Sequence, residues 1–323
     1  VQIAYKITAD GSNITDLVAD RLLACDITDQ AGVKSDRLTL TIDDRDQRLE
    51  IPETGAELQV WLGYVGEVLV NMGKFTVDEV EVRGPAREMT IRANAADMTG
   101  EIKSPKERSW DGVSLGDVVR KIASEHRLTP AISQELAAIQ LGHVDQTESD
   151  MQLLTRLCSD QGATCKVADG RLVVAKRASG KSTGGSDLPV AAIDAGDCSD
   201  WSANIAERGR FKTVIAQWHD LKTGKRSEER AGSGKPAITL KHTYQSKDAA
   251  KRAAKSKIEA MNRGGSKIQI SGLVGDPTMS AELEAELSGF RDGLDGDGWV
   301  INSVTHSFTS SGYTCNLEIE QKE

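Results

Sequence analysis

The residues that most resemble a catalytic motif are Ala175-Lys176-Arg177-Ala178-Ser179-Gly180-Lys181-Ser182. They fit a relaxed phosphate-loop pattern, with alanine at the first glycine and a strand-like run ahead of it. Such a loop works by opening directly into a helix, whose free N–H groups and dipole hold the phosphates. Here Thr183-Gly184-Gly185-Ser186-Asp187-Leu188-Pro189 follows and forbids a helix. Nucleotide binding is therefore not expected. Gly232-Ser233-Gly234-Lys235-Pro236 is a poorer match, because proline replaces the hydroxyl residue that would bind magnesium.

Metal chemistry has little more support. The run Asp292-Gly293-Leu294-Asp295-Gly296-Asp297-Gly298 is acidic and glycine-rich, but it lacks the flanking helices and closing bidentate glutamate of a helix-loop-helix calcium site. It reads as a cluster of β-turns. Asp43, Asp44 and Asp46 lie among Arg45 and Arg48, which compensate their charge locally and point to a solvated strand end. His126, His143, His219, His242 and His306 show no close pairing, and no serine occupies a Gly-x-Ser-x-Gly elbow. The five cysteines, Cys25, Cys158, Cys165, Cys198 and Cys315, form no Cys-x-x-Cys pair. They read as small buried hydrophobes in a reducing compartment. The expectation is a non-enzyme with no catalytic, cofactor-binding or metal-ligating residue and no cofactor.

Composition agrees with work done by surfaces. The chain has 323 residues, enough for two or three domains. Its 40 basic and 49 acidic residues leave a net charge of -9, which argues against a general nucleic-acid or membrane-surface binder, and no specific nucleic-acid binding is expected. The helix-like segment from Lys247 to Arg263 carries six basic and two acidic side chains, a pattern that fits a solvated helix face. No apolar run reaches the ~18–20 residues of a membrane helix. The start Val1-Gln2-Ile3 has no secretion-signal pattern, so a cytoplasmic product without a membrane anchor is expected. Aromatic content is only 4% while glycine reaches 30 residues, which suits short strands and tight turns more than a deep ligand pocket.

The elements that would carry those surfaces are mainly strands. Leu38, Leu40 and Ile42 alternate with polar residues, as do Leu58, Val60 and Leu62; Phe75 and Val77; Val80 and Val82; and Met89, Ile91 and Ala93. Even spacing without helices predicts an antiparallel sandwich or barrel over residues 1–100. Residues 101–178 read as a mixed α/β module. Ser114 with Asp117, and Ser149 with Gln152, resemble capping boxes ahead of apolar stripes. Pro130 is expected to close the first helical segment, Gly162 the second, and Arg171–Val174 reads as a strand. Residues 179–189 have linker composition. In residues 190–323 strands return around Val214–Trp218, Ile268–Ile270 and Tyr313–Ile319, with one helix near 246–263 that stops at Gly264-Gly265.

Several segments, matching in order over nearly the whole chain, resemble the phage late control gene D proteins, the central baseplate hubs of contractile tails and tail-like bacteriocins. They are Ser35-Asp36-x-Leu38 with Asp43-Asp44-Arg45, Pro52-x-Thr54-Gly55, Gly73-x-Phe75-Thr76-Val77-Asp78-Glu79-Val80, and Ala95-Ala96-Asp97-Met98 before Lys103-Ser104-Pro105. Ser109-Trp110, Glu148-Ser149-Asp150-Met151, Glu207-Arg208-Gly209-Arg210, Gly232-Ser233-Gly234 and Gly298-Trp299-Val300 with Val304-x-His306 continue the match.

The resemblance implies two tail-tube-like antiparallel β-barrels, over 1–100 and 190–323, flanking the mixed module, with relatives in the N-terminal part of VgrG spike proteins. It implies a homotrimer whose two barrels per chain make a pseudo-sixfold ring, joining a threefold central spike protein to a sixfold tail tube protein. Other baseplate proteins and the tape measure are further expected partners, with assembly in the bacterial cytoplasm. The second barrel should repeat the strand order of the first, since Gly73-x-Phe75-x-Val77 continuing to Met89-Thr90-Ile91 parallels Gly298-Trp299-x-Ile301 continuing to Tyr313-Thr314-Cys315. The helix near 246–263 should pack on the outside of that barrel. Two alternatives are a hub-associated peptidoglycan hydrolase and a carbohydrate- or receptor-binding tail module. The first is disfavoured by the end of the chain directly after a strand and the lack of a local paired-carboxylate motif, the second by the low aromatic count.

Overall fold

A computed structural model of the chain describes residues 2–32, 35–95, 100–168, 170–205, 211–220, 224–263 and 266–322. Ala96-Asp97-Met98, Glu207–Arg210 and the expected helix stop at Gly264-Gly265 lie outside the described residues. The chain opens with β1 (Ile3–Ala9), β2 (Ser12–Asn13), a single helical turn α1 (Thr15–Val18), β3 (Leu22–Gln30), β4 (Arg37–Asp43), β5 (Glu57–Tyr64), β6 (Val70–Arg83) and β7 (Glu88–Ala95). The alternating residues of the sequence land where expected: Leu38, Leu40, Leu58, Val60 and Leu62 are all buried. The runs at Phe75–Val77 and Val80–Val82, which look like two strands, are one. Pairing with β7 steps from Val77↔Ala93 to Glu79↔Arg92. The extra residue, Asp78, is a bulge that shifts the apolar alternation from odd to even positions, where Val80 is half-buried and Val82 is exposed.

The middle module contains β8 (Arg108–Asp111), α2 (Leu115–Glu125), β9 (Thr129–Ile132), α3 (Gln134–Ala137), β10 (His143–Gln146), α4 (Asp150–Ser159), β11 (Ala163–Ala168) and β12 (Arg171–Lys176). Both capping boxes form. Ser114 Oγ accepts the Asp117 N–H at 3.1 Å and Asp117 accepts the Ser114 N–H at 2.9 Å, with Ser149 and Gln152 reciprocating in the same way at 3.3 Å. Helix α2 ends before Pro130: Arg127 adopts a left-handed φ of 58° and turns the chain, and Pro130 lies in β9, parallel to β12. Leu115, Val118, Ile122, Leu153, Leu154 and Leu172 form a core separate from that of the flanking strands.

Beyond the loop at 177–190 come β13 (Ala191–Asp194) and β14 (Asp200–Ile205), then an insertion of β15 (Thr213–Asp220), β16 (Lys225–Gly232), β17 (Ala237–Tyr244) and α5 (Lys247–Arg263). The chain closes with β18 (Ser266–Val274), β19 (Glu284–Ser288), β20 (Gly296–Thr309) and β21 (Gly312–Gln321). The helix is therefore not alone in the insertion. It lies on a three-stranded sheet of order β16-β15-β17, where Ala250, Ala253 and Ala254 are buried against Val214, Ala216 and Tyr244. The expectation that α5 packs on the outside of the second set of long strands is corrected accordingly. Strand β16 was hidden because Lys225-Arg226-Ser227-Glu228-Glu229-Arg230 has no apolar alternation; it is an outer strand held by its ladder to β15.

The remaining strands of both halves join one 13-stranded sheet, in which the main path runs β14-β18-β21-β20-β3-β4-β7-β6-β5-β1-β2 and β19 links β20 to β13. Two similar blocks are visible in that order. The first is β3-β4-β7-β6-β5-β1 and the second β14-β18-β21-β20-β19-β13. Taken in chain order, the six strands of each block occupy the same places. The fifth strand of each block, β6 or β20, spans 14 residues and is bulged. One difference corrects the all-antiparallel expectation: β13 runs parallel to β19, whereas β1 runs antiparallel to β5. Leu38, Leu62 and Phe75 from the first block and Ile268, Ile301 and Leu317 from the second belong to one contiguous apolar core. The protein is mainly β with an α+β insertion.

The capping box at Ser149 satisfies an N-terminal donor of α4 beside a fully buried Asp150. Ser149→Ala is expected to lower stability by about 1 kcal/mol, read as a shift of the urea midpoint at unchanged slope.

Candidate assembly interface

The residues with the most chemical potential turn out to be structural ties. Strand β12 ends at Lys176, and Arg177 then reaches Glu320 Oε1 at 2.8 Å and Asn302 Oδ1 at 2.9 Å, fastening the module to β20 and β21. The loop beyond is closed on itself by Leu188 N–H to Gly180 C=O and Ser182 N–H to Ser186 C=O, each at 2.8 Å, and no helix follows. Lys181 is exposed, 3.9 Å from Asp187. Asp46 forms a two-pronged pair with Arg21, both contacts at 2.7 Å, which holds its carboxyl below the usual range; Asp43 pairs with Arg45 at 3.0 Å. Arg48, expected to share that role with its side chain, meets Asp46 through its backbone, and the guanidinium paired with Asp46 is that of Arg21. In the glycine-rich run, Asp295 accepts the Phe290 N–H at 2.8 Å and Leu294 C=O accepts the Trp299 indole N–H at 2.9 Å, so the turns are internally satisfied.

Among the described residues Glu125, His126 and Asp150 alone are spaced to hold a metal ion. Two side-chain cations already fill that place. Lys106 Nζ lies 2.6 Å from Asp150 and 3.1 Å from Glu125; Arg108 lies 2.6 Å from Asp150 and 2.9 Å from Glu125. His126 Nε2 and Gln146 Nε2 each contact Asp150 at 2.8 Å. Although burial opposes its charge, these partners hold the Asp150 carboxyl down at about 2. A carboxyl held ionised above about pH 4 does not match the raised-pKa proton donor that glycoside cleavage uses. The network instead binds β8, β10, α2 and α4 together. Sequence reading missed it because Glu125 and Asp150 stand far apart along the chain, and only the fold brings them into contact.

A second buried cluster sits where all three parts of the chain meet. Lys166 on β11 extends its ammonium to Asp29 Oδ1 at 2.5 Å, Asp36 Oδ1 at 2.6 Å and Gln30 C=O at 3.1 Å. Asp29 also accepts the Ala281 N–H at 2.8 Å, so the module and both strand blocks share one carboxylate. Burial, with Asp29 close by, pushes the Asp36 carboxyl up to about 7, while Lys166 keeps Asp29 below its ordinary value against the same burial.

The blocks themselves join through β20 and β3, paired antiparallel from Ser303↔Gln30 to Thr309↔Ala24. Thr28 and Thr305 hydroxyls meet at 3.1 Å, Ser307 donates to Asp26 at 2.5 Å, and the rings of Tyr5 and Phe308 pack at 4.9 Å. His306 is buried at the seam, its two ring nitrogens contacting Tyr313 Oη at 2.7 Å and Met279 C=O at 3.1 Å. Cys315 Sγ lies 3.4 Å from His306, but burial pushes its thiol up to about 11, so this cysteine–histidine pair is no activated nucleophile.

A chain whose polar clusters hold modules together, and whose two blocks fuse edge to edge, has the design of an assembly component. The sequence matches the phage tail baseplate hub (GPD) family over residues 29–312, and the chain belongs to that family. Its place is thereby the baseplate of a phage tail. It is 32% identical to the probable baseplate hub protein of Escherichia phage 186, over 99% of this chain and 93% of that protein. Among solved structures, a 43 kDa tail protein of prophage MuSo2 from Shewanella oneidensis superposes with a TM-score of 0.75 at 14% identity, covering 99% of both chains. A type VI secretion component of E. coli, described as similar to bacteriophage tail proteins, gives 0.57 at 12% identity, covering 94% of this chain and 74% of that one.

The clusters make opposite pH predictions. Asp150 is held below its unfolded value, so its contribution is present above about pH 4 and is lost as the pH falls towards 2. Asp150→Asn should cost about 3 kcal/mol at pH 7, and the gap to wild type should close in acid. Asp36 is raised, so between about pH 4 and 7 the folded state holds a proton the unfolded chain has released, and stability falls as pH rises. In Asp36→Asn the decline of Tm from pH 4.5 to 7.5 should be shallower; parallel Tm curves would refute this.

Proposed function

We propose that the chain is a non-enzymatic symmetry adaptor: a homotrimeric hub that joins the threefold central spike to the sixfold tail tube of a contractile tail or tail-like bacteriocin. The observation that carries this reading is the shared strand order of β3-β4-β7-β6-β5-β1 and β14-β18-β21-β20-β19-β13 within one chain. Three copies of a chain with two like blocks present six like blocks to a sixfold partner and only three copies of everything else to a threefold one. Each block is then one tube-like β-barrel domain, over 1–100 and 190–323, and residues 101–178 are a separate module. Spike, tube and other baseplate proteins are its partners, with the tape measure within reach of the ring, and assembly takes place in the bacterial cytoplasm.

The non-enzymatic part draws support from the ion clusters, in which Lys106 and Arg108, or Lys166, sit between the carboxylates. Light scattering of the chain in complex with its spike partner should give three copies per complex. A stable dimer or hexamer of this chain there would overturn the adaptor reading, and clearing of a peptidoglycan zymogram by the purified chain would overturn its non-enzymatic part.

A further inference from the structure

The insertion carries a charge opposite to that of the strands that hold it. Residues 211–263 contain 13 basic and 5 acidic side chains, the rest of the chain 27 basic and 44 acidic. The net charge of the whole chain, which argues against a polyanion binder, is thus an average over two regions of opposite sign. Local charge decides what a surface attracts, because exposed charges are screened beyond about 8 Å at physiological salt. On α5 alone the basic residues fit a solvated face, but the strands of the insertion extend them: Arg226 on β16 and Lys241 on β17 are exposed. On α5, Lys247, Lys251 and Lys255 recur at every fourth residue, all exposed, and so stand in one row about 6 Å apart. Lys247 and Lys255 have distant partners, Glu229 at 3.8 Å and Glu259 at 3.4 Å. Arg226, Lys241, Lys251 and Lys257 form no ion pair among the described residues.

Such a surface fits a partner recognised by charge alone. Among the described residues the exposed large apolar side chains, Val68 and Ile205 included, all lie outside residues 211–263. A protein docked there would find none of the apolar or aromatic anchors that carry binding energy. An anionic membrane fits no better, since an interfacial helix binds by sinking its apolar face into lipid. The apolar face of α5 is already buried, with Ala250, Ala253 and Ala254 on Val214, Ala216 and Tyr244. Single strands call for exposed rings on which bases stack, and among the described residues no tryptophan, tyrosine or phenylalanine of the insertion is exposed. A duplex asks only for cations facing its phosphates, and the row on α5 has close to the step between successive phosphates of one strand.

We infer that the insertion binds duplex nucleic acid through its phosphates, with Lys251 and Lys255 at the centre of the contact. Phosphate contacts hold a protein on a duplex without reading its sequence, so the binding is general and favours no site. The inference is independent of how many copies the hub contains and stands or falls apart from the adaptor reading.

Fluorescence anisotropy of a labelled DNA duplex about three turns long, titrated with the full chain, tests it. Binding should weaken steeply with salt, with a slope of log K against log salt of about -3 or steeper, as three or more phosphate contacts require. Lys251→Glu with Lys255→Glu, at exposed positions, should lower the affinity at least tenfold and leave the Tm unchanged. Lys251→Gln with Lys255→Gln, which introduces no repulsion, should flatten the slope by about two. Lys176→Glu with Lys181→Glu changes the net charge as much as the first variant, on exposed residues outside the insertion, and should lower the affinity less than twofold. No binding of the duplex by the wild type at low salt, an unchanged slope in the glutamine variant, or equal weakening by the two glutamate variants overturns the inference. Tighter binding of polyglutamate or of phosphatidylserine vesicles than of the duplex also overturns it, in favour of an acidic protein or a membrane.

Discussion

The antiparallel ladder between β20 and β3 is the contact on which the rest of the molecule depends. Strand β20 is long enough to pair first with β19 and then, past its bulge after Ile301, with β3. That one strand makes two blocks into a single sheet with a single apolar core. A seam of backbone hydrogen bonds fixes the distance and the angle between the blocks far more tightly than a flexible linker would.

The buried charges act as directional ties within the chain. Lys166 draws Asp29 and Asp36 towards the middle module, Arg177 draws Glu320, and Asp29 holds the Ala281 amide. The Lys166 and Arg177 contacts join the separately packed module to the strand blocks, the Asp29 contact joins the blocks to each other, and each leaves a costly unpaired group if the parts shift. The Asp150 network does the same inside the module. Such contacts add little net stability compared with apolar packing, but they discriminate strongly between one arrangement and its near neighbours.

Much of this architecture was legible in the residues, for identifiable reasons. Strands with one buried face, such as β4, β5 and β7, announce themselves by alternation, and α2 and α4 by their capping boxes. The likeness between the β6–β7 and β20–β21 hairpins could be read from Gly73-x-Phe75 and Gly298-Trp299. Other elements gave no such signal. Strand β16 is charged throughout, β13 and β19 are short, and the Asp78 bulge makes one strand look like two. The clusters at Lys166 and Asp150 were invisible because long-range contacts leave no local pattern. The seam itself belongs to the same class, since nothing in Asp26-Ile27-Thr28 or Thr305-His306-Ser307 says that they are neighbours.

The insertion between β14 and β18 leaves and re-enters the sheet at adjacent points, since Ile205 stands opposite Ser266. Its strands and α5 keep an apolar cluster of their own. Removed, it would leave an ordinary hairpin connection behind; exchanged, it would ask nothing new of the strands that carry it. Variation, whether by evolution or by engineering, therefore has a socket here: a decoration can be swapped while the two fused strand blocks stay the same.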